Sequence, residues 1–91
     1  MRVKLFGVLR DFVGNTAVSL PVRGGEAVGE VLHQLAERYP SLSRRIFAPD
    51  GELQPFLIIS LSGVDIRHCG GLAAVVSPDD ELLIFPPSAG G

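Results

Sequence analysis

The sequence predicts a single α+β domain, on three observations: strand-period runs stand at both ends of the chain, one helix-period run lies between them, and 91 residues suffice for one core. The composition agrees, with 46% hydrophobic and 20% charged residues. That proportion belongs to a folding chain and not to a disordered one.

From Val3 to Leu9 the residues alternate, Val3, Leu5 and Leu9 on one face and Lys4, Phe6 and Val8 on the other, which predicts the first strand. Gly14-Asn15 signals a turn, and Thr16 to Leu20, closed by Pro21, reads as the second strand of an N-terminal hairpin. After Gly24-Gly25, apolar residues recur at Val28, Val31, Leu32, Leu35, Ala36 and Tyr39, a single stripe along a helix. Glu26 and Glu30 suit the N-terminal end of that helix, and Pro40 stops it. The segment from Pro40 to Pro55 is polar, with Leu42, Ile46 and Phe47 as anchors, and is expected to hold a short helical turn. Phe56 to Leu61 and Val64 to Arg67 predict the third and fourth strands about a Ser62-Gly63 turn. Ser77-Pro78-Asp79-Asp80 makes another turn before a last strand from Glu81 to Phe85. The best match is a β-grasp (ubiquitin-like) domain over residues 1–85, a mixed four- to five-stranded sheet with one main helix packed on one face. Residues 86–91 then form a flexible C-terminal tail ending in Gly-Gly.

A formal net charge of −2 and a pI near 5.5 lack the basic excess that pairs with phosphates, so neither nucleic acid nor a membrane is an expected partner. The single cysteine, Cys69, excludes an intramolecular disulfide framework or a Cys-rich zinc site, and no metal ligands are assigned. The first residues lack a signal-peptide pattern and no apolar run reaches membrane-spanning length, so a cytoplasmic protein is expected.

The chain closes Pro86-Pro87-Ser88-Ala89-Gly90-Gly91. A carboxylate is a poor electrophile, but adenylation by ATP gives it a leaving group that a sulfur donor can displace, producing a thiocarboxylate. Glycine has no Cβ to clash inside a narrow adenylating pocket, and two prolines hold the tail extended. With 11 glycines in 91 residues, a chance glycine pair at those positions has odds of about 1–2%. What gives the pair weight is its place directly after a terminal strand.

The chain resembles the MoaD/ThiS-like sulfur carriers, among them the small subunit of molybdopterin synthase. The opening block Phe6-Gly7-Val8-Leu9-Arg10-Asp11-Phe12-Val13-Gly14 and the closing block from Asp79 to Gly91 carry that resemblance, the closing block more specifically. It implies activation by a ubiquitin-activating-type adenylating enzyme, which consumes ATP, then thiocarboxylation at Gly91 with sulfur from a donor protein. Delivery would follow into a large catalytic subunit, and the chain would be no enzyme by itself. Tyr39-Pro40-Ser41-Leu42, Asp50-Gly51-Glu52-Leu53 and the segment from Val64 to Ala73 resemble the longer CysO-type carriers, whereas Phe85-Pro86-Pro87 looks like the molybdopterin subunit. Molybdenum cofactor biosynthesis is therefore the first expectation for the acceptor. Cysteine, thiamine or thiolated tRNA synthesis is the alternative, as is a protein modifier that joins Gly91 to lysines.

Phe6 and Phe85 fall on the strand faces opposite the core, and with Val8, Ile58 and Leu83 they are expected to form an exposed apolar docking patch at the root of the tail. The resemblance supports that role at Phe6 and Phe85 only, and it places an arginine at Arg10. His68 and Cys69, as neighbours in an extended segment, would point to opposite faces and so not pair catalytically, Cys69 being semi-buried. His33 should be solvated on the polar side of the helix. Arg23, Arg38, Arg44, Arg45 and Arg67 read as ordinary surface charge. Gly24-Gly25 lacks the Gly-Lys of a phosphate loop, so no cofactor is expected on this chain and ATP belongs to the partner.

Overall fold

In the computed structural model, which describes residues 1–87, five strands form one sheet: β1 (Arg2–Leu5), β2 (Ala17–Ser19), β3 (Ile58–Leu61), β4 (Val64–Asp65) and β5 (Glu81–Phe85). Their order is β2-β1-β5-β3-β4. The first and last strands run parallel at the centre, with Arg2 opposite Glu81 and Leu5 opposite Ile84, and every other pairing is antiparallel. A parallel pair needs a crossover, and α1 (Val28–Arg38) supplies it. This is the β-grasp arrangement, a mixed sheet with a helix laid across one face.

Alternation along the strands assigns the faces. Val3, Leu5, Ile59, Leu82 and Ile84 point to α1 and are at most 1% exposed, and they meet Val28, Val31, Leu32 and Leu35, each 0% exposed. A fully buried aliphatic side chain of this size contributes about 1.5–3 kcal/mol. Two orphan donors at the start of the helix are satisfied, one from outside it and one from its own first turn: Val28 N–H donates to the Ala74 carbonyl at 2.8 Å, and Ala27 N–H donates to the Glu30 carboxylate at 3.5 Å. Glu26 does something else. Its carboxylate accepts from the N–H groups of Arg23 and Gly24 at 2.9 and 2.8 Å, bracing the turn before the helix. The Arg23 N–H, first among these, lowers the Glu26 pKa.

The expected helical turn after Pro40 is a second helix, α2 (Pro40–Ile46), with Pro40 in its first turn and Leu42 and Ile46 buried against the core. The β3–β4 connection is a two-residue turn with Ser62 at φ 46° and Gly63 at φ 91°, the left-handed pair that a tight hairpin demands.

Three strand boundaries differ from expectation by two residues or more, and β2 is one residue shorter at each end. β1 stops at Leu5 and not at Leu9, because Gly7 adopts φ 58° and turns the chain into a 3-10 segment over Gly7–Phe12. Leu9 is buried from that segment, so its agreement with a period of two was coincidental. β3 begins at Ile58 and not at Phe56, since Leu57 N–H bonds back to the Gln54 carbonyl at 3.2 Å across a turn. β4 ends at Asp65, whose carboxylate accepts from Arg67 N–H at 2.9 Å and opens a 3-10 turn over Ile66–His68.

Candidate functional site

The tail leaves the domain at the end of β5. Phe6 N–H donates to the Ile84 carbonyl at 3.1 Å, carrying the β1–β5 ladder one bond past the end of β1. The Phe6 and Phe85 rings stack over that bond, with centroids 4.4 Å apart and planes 13° from parallel. Beyond them Pro86 packs on Gly7 so closely that a Cβ there would stand 2.8 Å from Pro86 Cγ. Pro86 is half-buried by this contact and Pro87 is exposed. The root of the tail is thus held between a turn that only glycine fits and a stacked aromatic pair. Ser88, Ala89, Gly90 and Gly91 lie outside the described residues.

Four of the five residues expected in the docking patch share the open face of the sheet. Ile58 stands directly opposite Phe85 in the β3–β5 register, Leu83 precedes Phe85 by two, and Phe6 stacks on Phe85. Ile58 is 45% exposed. Val8 is the exception: the chain has already left the sheet at Leu5, so Val8 sits, exposed, on the 3-10 segment. The same face turns polar away from the tail, where Lys4 and Glu81 approach within 3.5 Å. Its apolar character is concentrated where the tail departs.

A feature absent from the sequence reading adjoins the root. Arg44, Arg45, Gln54, Phe56 and Pro87 line an open cleft of about 230 Å³. Arg44 and Arg45 come from the last turn of α2, and Phe56 from the turn before β3, where it is 74% exposed. The adjacent Arg44-Arg45 pair was the available signal, but its closeness to Phe56 and Pro87 is tertiary.

The remaining candidates lie elsewhere. His68 and Cys69 are not in an extended segment, and both are exposed, which corrects the semi-buried reading of Cys69. His33 is not merely solvated but stacks on Phe47, with centroids 4.5 Å apart. Arg10 Nε donates to the Gly7 carbonyl at 3.3 Å, Arg38 reaches the Ser19 carbonyl at 3.0 Å, and Arg67 pairs with Asp65 at 2.6 Å. That guanidinium, together with the Arg67 N–H, holds the Asp65 carboxyl down at about 2. Asp80 is likewise lowered, first by the Ser62 hydroxyl at 2.7 Å and then by the Ser77 N–H. Asp80 fastens the loops at the end of the sheet remote from the tail, and Asp65 caps the 3-10 turn after β4. Among the described residues no group of three or more His, Cys, Asp or Glu side chains is placed to hold a metal, and no helix is long and apolar enough to cross a membrane.

A β-grasp domain with an open, apolar sheet face at the root of a C-terminal tail is of the class of the small sulfur carriers and ubiquitin-like modifiers. The chain belongs to the ThiS family, whose model matches residues 3–91. Small archaeal modifier protein 1 of Haloferax volcanii is 34% identical over 91 residues, covering 100% of both chains. The sulfur carrier protein CysO of Mycobacterium tuberculosis is 35% identical over 69 residues, 74% of each chain. The family match and the CysO relative bear out the expected sulfur-carrier family, CysO bears out the likeness to CysO-type carriers, and the two relatives' names describe a carrier and a modifier, not a catalyst. Among solved structures, SAMP1 from Haloferax volcanii superposes with a TM-score of 0.89 at 34% identity, covering 100% of this chain and 98% of that one. CysO in the Amycolatopsis orientalis BexX/CysO complex gives 0.80 at 28% identity over 99% and 98%. A putative molybdopterin converting factor, subunit 1, from Pyrococcus furiosus gives 0.74 at 18% identity over 96% and 95%, a likeness of fold alone.

Proposed function

We propose that the chain is a sulfur carrier whose Gly91 carboxylate is adenylated by a ubiquitin-activating-type enzyme and then converted to a thiocarboxylate. The observation that carries this reading is that the family match runs through the glycine pair to residue 91. Activation joins the carboxylate to AMP with release of pyrophosphate; a sulfur donor protein supplies the nucleophile that displaces AMP. The open face around Phe6, Ile58, Leu83 and Phe85 is suited to rest on the partner while Pro86 to Gly91 extend into its active site. Dehydration of that face supplies affinity, and the glycines supply clearance. CysO in complex with BexX is a precedent for a related carrier that associates with another protein. A cytoplasmic setting, where ATP is at hand, belongs to the same proposal.

For the acceptor, the Phe85-Pro86-Pro87 ending supports the large subunit of molybdopterin synthase, whereas the CysO likeness supports a different thiolation route, cysteine synthesis among them. The full-length match to a small archaeal modifier favours a second fate for the same acyl-adenylate, an isopeptide bond to a lysine.

ATP–pyrophosphate exchange by the activating enzyme tests the shared first step. Exchange should depend on the chain and vanish when Gly90 and Gly91 are deleted. An enzyme that exchanges with a control carrier but not with this chain would overturn both fates. A sulfur donor or a lysine-bearing protein, added next, should then yield the thiocarboxylate or the conjugate.

A further inference from the structure

Beside Pro87, the Arg44–Arg45 cleft adds charge to a root that is otherwise apolar. Neither arginine makes an ion pair among the described residues, whose salt bridges are Lys4–Glu81 and Arg67–Asp65. The Arg45 side chain and the Arg44 backbone are held in place, and the Arg44 side chain is exposed. The Arg45 guanidinium lies 5.1 Å over the Phe12 ring, and Gln54 Nε2 donates to the Arg44 carbonyl at 2.9 Å, tying the end of α2 to the turn that carries Phe56. Phe56, 74% exposed, leads through Leu57 to Ile58, so the cleft borders the open apolar face. Its sign is opposite to the formal net charge of −2.

We propose that this cleft docks a carboxylate-bearing segment of the enzyme that receives the tail, an Asp- or Glu-containing stretch at the mouth through which Pro87 and the residues after it enter. The guanidinium fork matches a carboxylate in two parallel hydrogen bonds, and Phe56 excludes water from one side. Placed at the rim of an apolar contact, such charges govern the rate and selectivity of association more than the depth of binding. The last turn of a helix also favours cations through its dipole, a role that lysine fills equally well. Fork recognition is what separates the two.

The proposal rests on the activation reading above. Its test is association of the full chain with its adenylating enzyme, by stopped-flow over a salt range in which the screening length falls from about 30 Å to about 3 Å, with pyrophosphate exchange in parallel. Arg44→Glu is the main variant, because Arg44, unlike Arg45, has no aromatic ring beneath it; Arg44→Lys and Arg45→Lys keep the charge and lose the fork. Arg44→Glu should slow association at least about tenfold at low salt, with the deficit narrowing as salt rises. It should also raise KM for the chain while leaving kcat and the thermal midpoint in place. The lysine variants should recover only part of the rate. Association unchanged in Arg44→Glu, a deficit indifferent to salt, or full recovery by lysine would overturn the proposal. Were the wild-type chain to bind but never be adenylated, the carrier reading would fail while a salt-dependent Arg44 effect could still stand. Adenylation of wild type and Arg44→Glu with equal KM would defeat the cleft alone.

Discussion

The two faces of the sheet both carry apolar side chains and differ in what covers them. On the α1 side, Val3, Leu5, Ile59, Leu82 and Ile84 are sealed by a helix of the same chain. On the open side, Phe6, Ile58, Leu83 and Phe85 have no covering element among the described residues, and Ile58 remains 45% exposed. Neighbouring residues of β5 serve both, since Leu82 and Ile84 build the core while Leu83 and Phe85 face outward. One strand therefore divides its residues between the core and the open face proposed for docking, and the division follows from a period of two.

Substitutions on β5 and at its two ends can break or sharpen that contrast. Leu82→Ala, at 0% exposure, should destabilise the domain by about 2–5 kcal/mol, read as a fall in the denaturant midpoint, while the fraction that stays folded is still activated. Phe85→Ala should do the reverse. It should cost about 1 kcal/mol of stability through loss of the ring pair with Phe6, but about 2 kcal/mol or more of partner affinity, measured by calorimetry with the activating enzyme. Equal stability losses at Leu82 and Phe85 would erase the distinction between the faces. At the boundary, Gly7→Ala should cost about 1–2 kcal/mol from its left-handed backbone, plus the encounter with Pro86. Pro86→Ala removes Cγ and Cδ, so a double-mutant cycle should show recovery of the second part only. A fully additive cycle would mean that Gly7 and Pro86 do not touch.

The smallest effect is expected at the far end of β5. Asp65 and Asp80 have folded pKa values below the ordinary carboxylate range near 3.9, so each contributes stability that is present above that range and lost as the pH falls through the folded value, about 2 for Asp65. Thermal midpoints should therefore decline between about pH 4 and pH 2, and Ser62→Ala should flatten the Asp80 share of that decline. A variant with an unchanged acid profile would show that this clasp plays no part.

Much of this division is legible in the sequence because it rests on local periodicity. The apolar stripe from Val28 to Tyr39 and the alternation from Glu81 to Phe85 give α1 and β5 almost to the residue. Leu5 and Leu9 misled, because a 3-10 turn after Gly7 returned Leu9 to the core at a spacing that mimics a strand. α2 offered only Leu42 and Ile46, too short a stripe to separate a helix from a turn. The aromatic patch was readable once β1 and β5 were taken as neighbours. The Arg44–Arg45 cleft was not, since it joins the end of α2, the turn at Phe56 and Pro87, segments whose meeting no local pattern encodes.

The central claim is that the core serves only to present a reactive terminus beside an apolar face. Intact mass spectrometry of the full chain after incubation with ATP, a sulfur donor and its activating enzyme tests it most directly. The account predicts replacement of one oxygen by sulfur at Gly91, absent when Gly91 is deleted and greatly slowed in Phe85→Ala. An unchanged mass, under conditions that convert a control carrier, would contradict it.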